Sequence, residues 1–465
     1  MLEGRVVKKL KSVVGKDQVL TDEESLTCYS YDATRYSSRP DVVVKPRDAE
    51  EISKIVSLAY EESIPVVPRG AGTGLSGGSV PVRGGIVVAA ERMNARPQIH
   101  KEDLYAVVEP GVVTEDFQRE VEKRGLFYPP DPASQSACTI GGNVAECAGG
   151  LRGLKYGTTK DYVLGLEIVT PEGKILRTGA RTVKSVAGYD VTRLMVGSEG
   201  TLGVVTSVNL RLLPMPQARQ ALFCTFPDIK RASEAAAGVI ANGFVPSIME
   251  IMGKEAIDAV RLYLKEDFGG DVWLLTEFDG TRSFCEEQAS EAREILTHDF
   301  GCTVHEGAGQ AETERYWRAR REVLPALTRI SPTVILEDVT VPRSKLPLMA
   351  DSIERIAGKY NVRIAVFGHA GDGNIHPTFL TDKNSPDQMK RVTAAISEMM
   401  RACLDLGGTI SGEHGIGVDK MPFLELEIGK AGYDIMRRLK DSVDPKSIMN
   451  PGKIFDASEN QTASS

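Results

Sequence analysis

The spacing of apolar residues changes several times along the chain, and each change predicts an element. MLEGRVVKKLKSVVG has the three-to-four-residue spacing of a short basic amphipathic helix, and a polar entry segment follows to about residue 35. DVVVKP (41–46) is a compact apolar run and predicts a strand. DAEEISKIVSLAYEES predicts a helix with Asp48 as N-cap and Ile52, Ile55, Val56 and Ala59 on its apolar face. IPVVPRG is the next strand; it enters GAGTGLSGGSVPVRGG, the most glycine-dense part of the chain, which leads to the strand IVVAA. LYAVVEPGVVTEDFQREVEKRG reads as strand, turn and helix. FYPPDPASQSACTIGGNVAECAGGLRGLKYGTTKDYVLGLEIVT reads as a long irregular segment, and GKILRTG and LGVVTSVNLRLLP frame KSVAGYDVTRLMVGSEGTLG. Three small-residue loops so close together fit a large, flat, extended cofactor approached by backbone.

After Pro214-Met-Pro216 the texture changes. Strands (ALFCTF, VWLLTEF, TVILEDVTVP, RIAVFGH) alternate with amphipathic helices (ASEAAAGVIANG, CEEQASEAREILTHDFG, SKLPLMADSIERIAGKY, DQMKRVTAAISEMMRACLDLG). Alternation with antiparallel candidates predicts an α+β domain. No internal repeat is visible, and the polar tail after Ala457 is expected to be flexible.

Composition narrows the class. The 465 residues suggest two to four domains, and 42% hydrophobic with 26% charged residues is ordinary for a globular protein. A net charge of −8 argues against nucleic acid and offers no polybasic membrane handle. No apolar run approaches the roughly 18–20 residues of a membrane span. Seven scattered cysteines without a C-x-x-C build neither an iron–sulfur ligand set nor a disulfide framework, so a reducing cytoplasm is the expected compartment.

Candidate chemistry centres on VRIAVFGHAGDGNIHPT (362–378). Asp-Gly between apolar runs signals a tight hairpin. With Asp372 and Gly373 as a two-residue loop, His369 would lie directly opposite His376, close enough for two imidazoles to share one metal ion. Glu413 in GGTISGEHGIGVDK adds a carboxylate, giving a two-His, one-carboxylate set suited to Zn, Fe(II) or Mn(II), with His414 beside it as a base. A second signal, Gly72-Thr-Gly74-Leu-Ser-Gly77 with Glu91 19 residues after Gly72, matches G-x-G-x-x-G literally. SVPVRGG cannot open the helix that a Rossmann fingerprint requires, so what remains is a glycine-rich nest for a diphosphate, with Arg69 at its entrance.

PRGAGTGLSGG (68–78), TIGGNVAECAGG (139–150), GYDVTRLMVGSEGTLGVVT (188–206), HAGDGNIHP (369–377), SGEHGIG (411–417) and NPGKIF (450–455) together resemble the FAD-linked D-2-hydroxyacid dehydrogenases of the vanillyl-alcohol-oxidase flavoprotein superfamily, which include D-lactate dehydrogenases and the FAD-binding subunit of glycolate oxidase. The resemblance implies an α+β fold. It has an FAD-binding domain (1–215), a substrate-cap and metal-site domain (216–447), and a segment (448–457) returning to the flavin before a flexible tail (458–465). It implies that Pro68, Arg69, Gly70, Ala71, Gly72, Thr73, Gly74, Gly77 and Gly78 cradle the diphosphate of noncovalent FAD. Pro130, Asp131, Ser134, Thr139, Gly141, Gly142, Asn143 and Ala145 would line the flavin; Glu199, Gly200, Gly203 and Val204 would meet adenine and ribose, and Asn450 would close over the ring. The first two glycine-rich loops carry no histidine for a covalent flavin bond.

The same resemblance assigns His369, His376 and Glu413 to a divalent metal, His414 to the base, and Arg320 to the substrate carboxylate, with Arg318 and Arg321 as neighbouring alternatives. Relatives acting on hydroxyglutarate carry a lysine just ahead of the segment matching EDVTVP; here Leu336 stands there, which favours D-lactate first and glycolate next. The implied reaction is oxidation of the D-2-hydroxy acid to the 2-oxo acid, with hydride passing to flavin N5. Electrons then pass to a partner (an iron–sulfur subunit or an electron-transferring flavoprotein), to quinone or to oxygen, and any membrane association would be peripheral, through that partner. The alternatives are a catalytically silent flavin subunit of an electron-transfer complex, a D-2-hydroxyglutarate dehydrogenase, and a non-redox metallohydrolase.

Overall fold

The computed structural model describes residues 2–305 and 310–456; the expected tail at 458–465 lies outside them. The chain divides into two units. One comprises residues 1–148, 158–215 and 413–465; the other comprises 149–157 and 216–412. The return to the first unit thus begins at Glu413, where the sequence pattern placed it at 448. Two helical runs within Met421–Val443, broken at Gly429, belong to that return and were not anticipated.

In the first unit a four-stranded sheet has the order Val19–Leu20, Val42–Val44, Ile86–Ala89, Val66–Arg69, the last three parallel. Parallel strands need a crossover, and the helix Ala49–Glu62 supplies one between Val42–Val44 and Val66–Arg69. Asp48 caps that helix by accepting from the Glu51 N–H at 2.8 Å, and Ile52, Ile55, Val56 and Ala59 are buried as their spacing predicts. The N-terminal helix Gly4–Val14 buries Val6, Leu10 and Val14 in the same core. Each fully buried aliphatic side chain contributes about 1.5–3 kcal/mol. A five-stranded antiparallel sheet (Gln98–His100, Tyr105–Val108, Val204–Arg211, Val163–Val169, Ile175–Gly179) completes the framework. The glycine-rich stretch after Arg69 opens no helix and runs to the strand Ile86–Ala89. The segment read as wholly irregular contains the helix Ile140–Glu146, N-capped by the Thr139 hydroxyl, which accepts from the Gly142 N–H. Two adjacent glycines hid that helix, because they lower helix propensity without abolishing it.

The second unit is one antiparallel sheet backed by helices. Its strand order is Thr303–His305, Ala218–Phe226, Val272–Gly280, Ile248–Met252, Arg363–His369, Asn374–Thr381, Thr333–Leu336, with Val339–Thr340 also pairing to Asn374–Thr381. The strand Ile248–Met252 was not foreseen, though it stands at the centre and all five of its residues are buried. TVILEDVTVP, expected as one strand, is two. Leu336 lies opposite Thr378 and Val339 opposite Ile375, so Glu337 faces Pro377, which has no N–H to give the ladder. Asp338, in the gap, falls opposite His376.

The hairpin register also differs from the expected one. His369 pairs with Asn374, and Phe367 pairs with His376, so the loop is four residues, Ala370–Gly373. The Asp372 N–H donates to the His369 carbonyl and the Gly371 N–H to that of Met249, which widens the turn. A slip of one residue would have sent the histidines to opposite faces; a change of two keeps them on one face as diagonal neighbours.

Candidate active site

Within the second unit three neighbouring strands set the geometry. Glu250 lies opposite His369 on the adjacent strand, and His369 lies opposite Asn374 on the next. Glu250, His369 and His376 are all buried. The two imidazoles meet nearly edge to face, their Nε2 atoms 3.4 Å apart. The Nδ1 of His369 lies 2.5 Å from Glu250 Oε1, and that of His376 lies 3.8 Å from the buried Asp338 carboxylate. Asp338 in turn accepts from the Asn374 amide at 2.6 Å and the Ser411 hydroxyl at 3.0 Å. Two imidazoles that converge on their Nε2 atoms while buried carboxylates face their Nδ1 atoms form a donor set that fits a divalent metal.

Arg320 is buried on the helix Gln310–Arg321, and its Nε and Nη2 both lie 2.6 Å from Glu250 Oε2. Arg318 and Arg321 instead pair at the surface with Glu266 and Glu314. Burial alone would raise the Glu250 pKa, but the charges of Arg320 and His369 overcome it and hold the carboxyl below its usual range. Glu250 and Asp338 were both missed in the sequence. The available signal was a single carboxylate inside the apolar run IMEIM, since a charge on an inward strand position requires a partner.

In the first unit the segments of Thr139, Gly200 and Asn450 pack on the glycine-rich loop. Gly72 has φ +71° and Gly77 φ +80°. A Cβ on Gly70 would stand 2.4 Å from Thr139 Oγ1, and one on Gly200 would stand 3.1 Å from the Pro68 ring, so these three loops pack closely. Gly141 presses on Pro110, and Gly203 on the Val169 carbonyl beside Val204. Pro130 accepts from the Gln118 amide at 2.8 Å, the Ser134 carbonyl from Ala137 and Cys138, and Asn143 donates to Thr114 at 2.7 Å; Asp131 is buried beside this turn. The Ala145 carbonyl accepts from the Glu199 N–H. Arg69 donates inward to the Tyr31 carbonyl and the Ser79 hydroxyl.

Glu199 and Asn450 join separate parts of this unit. The Glu199 carboxylate accepts the N–H groups of Ile416 and Gly417, both at 2.7 Å, while Asn450 donates to the carbonyls of Gly78 and Glu199. Burial pushes the Glu199 carboxyl up to about 7 against those two donors and Lys453. Glu146, whose Oε1 would lie 2.4 Å from a Cβ on Gly78, is raised well above its ordinary value by burial and then by the Glu199 charge. Lys453 is lowered to about 8 by burial, with the same acids opposing. Glu413 and His414 open the last stretch of this unit, directly before Gly415, which abuts the Glu146 and Glu199 carboxylates.

Comparison with known proteins matches residues 215–454 to the FAD linked oxidases, C-terminal domain, and residues 40–179 to an FAD binding domain. The chain is 44% identical to glycolate oxidase subunit GlcD of Bacillus subtilis (strain 168), over 98% of this chain and 97% of that protein. It is 34% identical to D-lactate dehydrogenase of Anaerostipes hadrus, over 97% of each. In fold it is similar to p-cresol methylhydroxylase, with a TM-score of 0.81 at 18% identity, covering 98% of this chain and 97% of that one. Among the described residues no helix is long and apolar enough to cross a membrane. The chain therefore belongs to the FAD-linked D-2-hydroxyacid dehydrogenases of the vanillyl-alcohol-oxidase type and is an FAD-dependent oxidoreductase.

Proposed function

We propose that this enzyme oxidises a small D-2-hydroxy acid, D-lactate first and glycolate next, to the corresponding 2-oxo acid. The carrying observation is the pair of buried imidazoles whose Nε2 atoms converge while carboxylates face their outer nitrogens. A silent flavin subunit has no use for such a pair. The glycolate oxidase and D-lactate dehydrogenase activities named for these relatives fit it. Leu336, where a lysine would pair with a second carboxylate, favours a monocarboxylate over hydroxyglutarate.

When bound, FAD supplies the hydride acceptor and a divalent metal (Zn, Fe(II) or Mn(II)) supplies polarisation of the C2 hydroxyl. His369 and His376 would hold the metal, with Glu413 as third ligand. Gly412, the residue before it, packs within the second unit: a Cβ there would lie 2.3 Å from Thr340 Oγ1 and 2.4 Å from the Asn374 amide nitrogen. His414 takes the hydroxyl proton, a role open to an imidazole nitrogen. Arg320 holds the substrate carboxylate with the part of its guanidinium fork that Glu250 leaves over. Positioned groups of this kind contribute about 10²–10⁴-fold each. The glycine-rich loop from Pro68 to Gly78 offers backbone N–H groups to the diphosphate, and the Thr139-capped helix Ile140–Glu146 lies against that loop as a wall for the flavin. A partner protein or quinone would take up the electrons.

Anaerobic absorbance of the purified protein tests this reading. Adding D-lactate or glycolate should bleach the flavin band, while L-lactate and D-2-hydroxyglutarate leave it. Bleaching by hydroxyglutarate alone would overturn the monocarboxylate assignment, and a flavin indifferent to every acid would overturn the substrate class.

A further inference from the structure

We propose that Glu250 is a positioning residue that sets the tautomer of His369 and anchors Arg320 with the same carboxylate. The inference rests on the metal-site reading above and goes one shell further out. Glu250 is fully buried at the centre of the sheet, in the middle of an otherwise apolar strand. Its register opposite His369 is fixed by the ladder, so the contact does not depend on a flexible loop. An ionised carboxylate only accepts hydrogen bonds. Oε1, 2.5 Å from Nδ1, therefore places the imidazole proton on Nδ1 and leaves the lone pair on Nε2, the atom that faces His376. Oε2 receives Nε and Nη2 of Arg320, whose guanidinium also lies 5.0 Å from the centre of the Phe367 ring. Phe367 is the residue paired with His376. One carboxylate thus ties the ligand imidazole and the arginine into a single unit.

A buried charge of this kind is costly unless both partners are satisfied, so removing the charge should disturb both. Glu250→Gln presents either an amide oxygen or an N–H to His369, and it no longer enforces one tautomer. The test is Zn(II) affinity of the FAD-loaded enzyme, measured by competition with a chelator. Loss of an outer carboxylate from a ligand histidine costs about 10–100-fold in metal affinity, and that is the drop expected for Glu250→Gln. Arg320→Lys, which keeps a cation against Oε2 but loses the planar fork, should instead keep Zn(II) affinity close to wild type while raising KM for the hydroxy acid. Unchanged Zn(II) affinity in Glu250→Gln would overturn the proposal.

A second measurement needs no variant. Nitrogen-15 NMR of the histidine-labelled, metal-stripped wild-type enzyme should find His369 protonated at Nδ1. A proton on Nε2 would overturn the proposal even if Glu250→Gln does not fold. Wild-type enzyme that takes up no Zn(II) would defeat the metal-site reading instead, and the tautomer would still decide the role of Glu250.

Discussion

His376 shows how much one side chain can decide. It is buried, its Nε2 is 3.4 Å from that of His369, and Asp338 faces its other nitrogen. Truncation to alanine removes half of the imidazole pair and the ring that faces Asp338. His376→Ala is expected to lose bound metal and at least about 10²-fold in turnover while retaining FAD. Metal analysis and the flavin spectrum of one preparation measure both. Glu146 gives a pH-dependent counterpart in the first unit. A carboxyl whose pKa is raised by folding binds an extra proton in the fold. Its contribution to stability is therefore full below the unfolded value and is lost as pH rises through the folded one. For Glu199 that window runs from 4.5 to about 7, and Glu146 is displaced in the same direction. Glu146→Gln removes the charge but keeps the shape. It should raise Tm at pH 8 by roughly 2–4 °C, the shift of about 1 kcal/mol in a domain of this size, and change little at about pH 4, below the unfolded value. Thermal melts at the two pH values decide it; an equal shift at both would mean that the charge of Glu146 plays no part.

At the scale of the element, the hairpin is what brings the histidines together. Gly373 has φ +84°, and a Cβ there would stand 2.1 Å from the Val341 carbonyl. An L-residue pays about 1–2 kcal/mol for that backbone region before any clash. Gly373→Ala is therefore expected to lower Tm and to weaken Zn(II) binding, because the four-residue loop must shift with the strand that carries His376. A variant with unchanged melting and metal affinity would show that the loop does not set the imidazole spacing. The Asp-Gly signal identified a hairpin, and the alternation of apolar residues put both histidines on one face. The loop length was not legible, since it depends on the Gly371 N–H reaching Met249 on a strand more than a hundred residues earlier. The same holds for the strand Ile248–Met252. Its five residues, four apolar and one a carboxylate, are too few to show a period, and it is a strand because two neighbours flank it.

At the scale of the whole molecule, the glycine-rich loops proposed for FAD lie in the first unit and the imidazole pair proposed for the metal lies in the second. Chelation of the metal should therefore abolish hydroxy-acid turnover while leaving the flavin spectrum of the oxidised protein in place, and Zn(II) or Mn(II) should restore turnover. Loss of FAD on chelation would contradict that separation. The family was legible because its motifs are local: glycines, an Asp-Gly turn and a Glu-His pair keep their order in the chain whatever the fold does. Sequence by itself also determined the N-cap at Asp48, the buried face of Ala49–Glu62 and the failure of Gly72–Gly77 to open a helix, all of which depend on neighbours a few residues away. Only the tertiary structure decided that Glu250 meets His369 and Arg320, that Asp338 faces His376, and that Glu199 holds the backbone of Ile416 and Gly417. These contacts join residues far apart in the chain. Sheet register and burial bring them together, and neither is encoded in any short stretch of sequence.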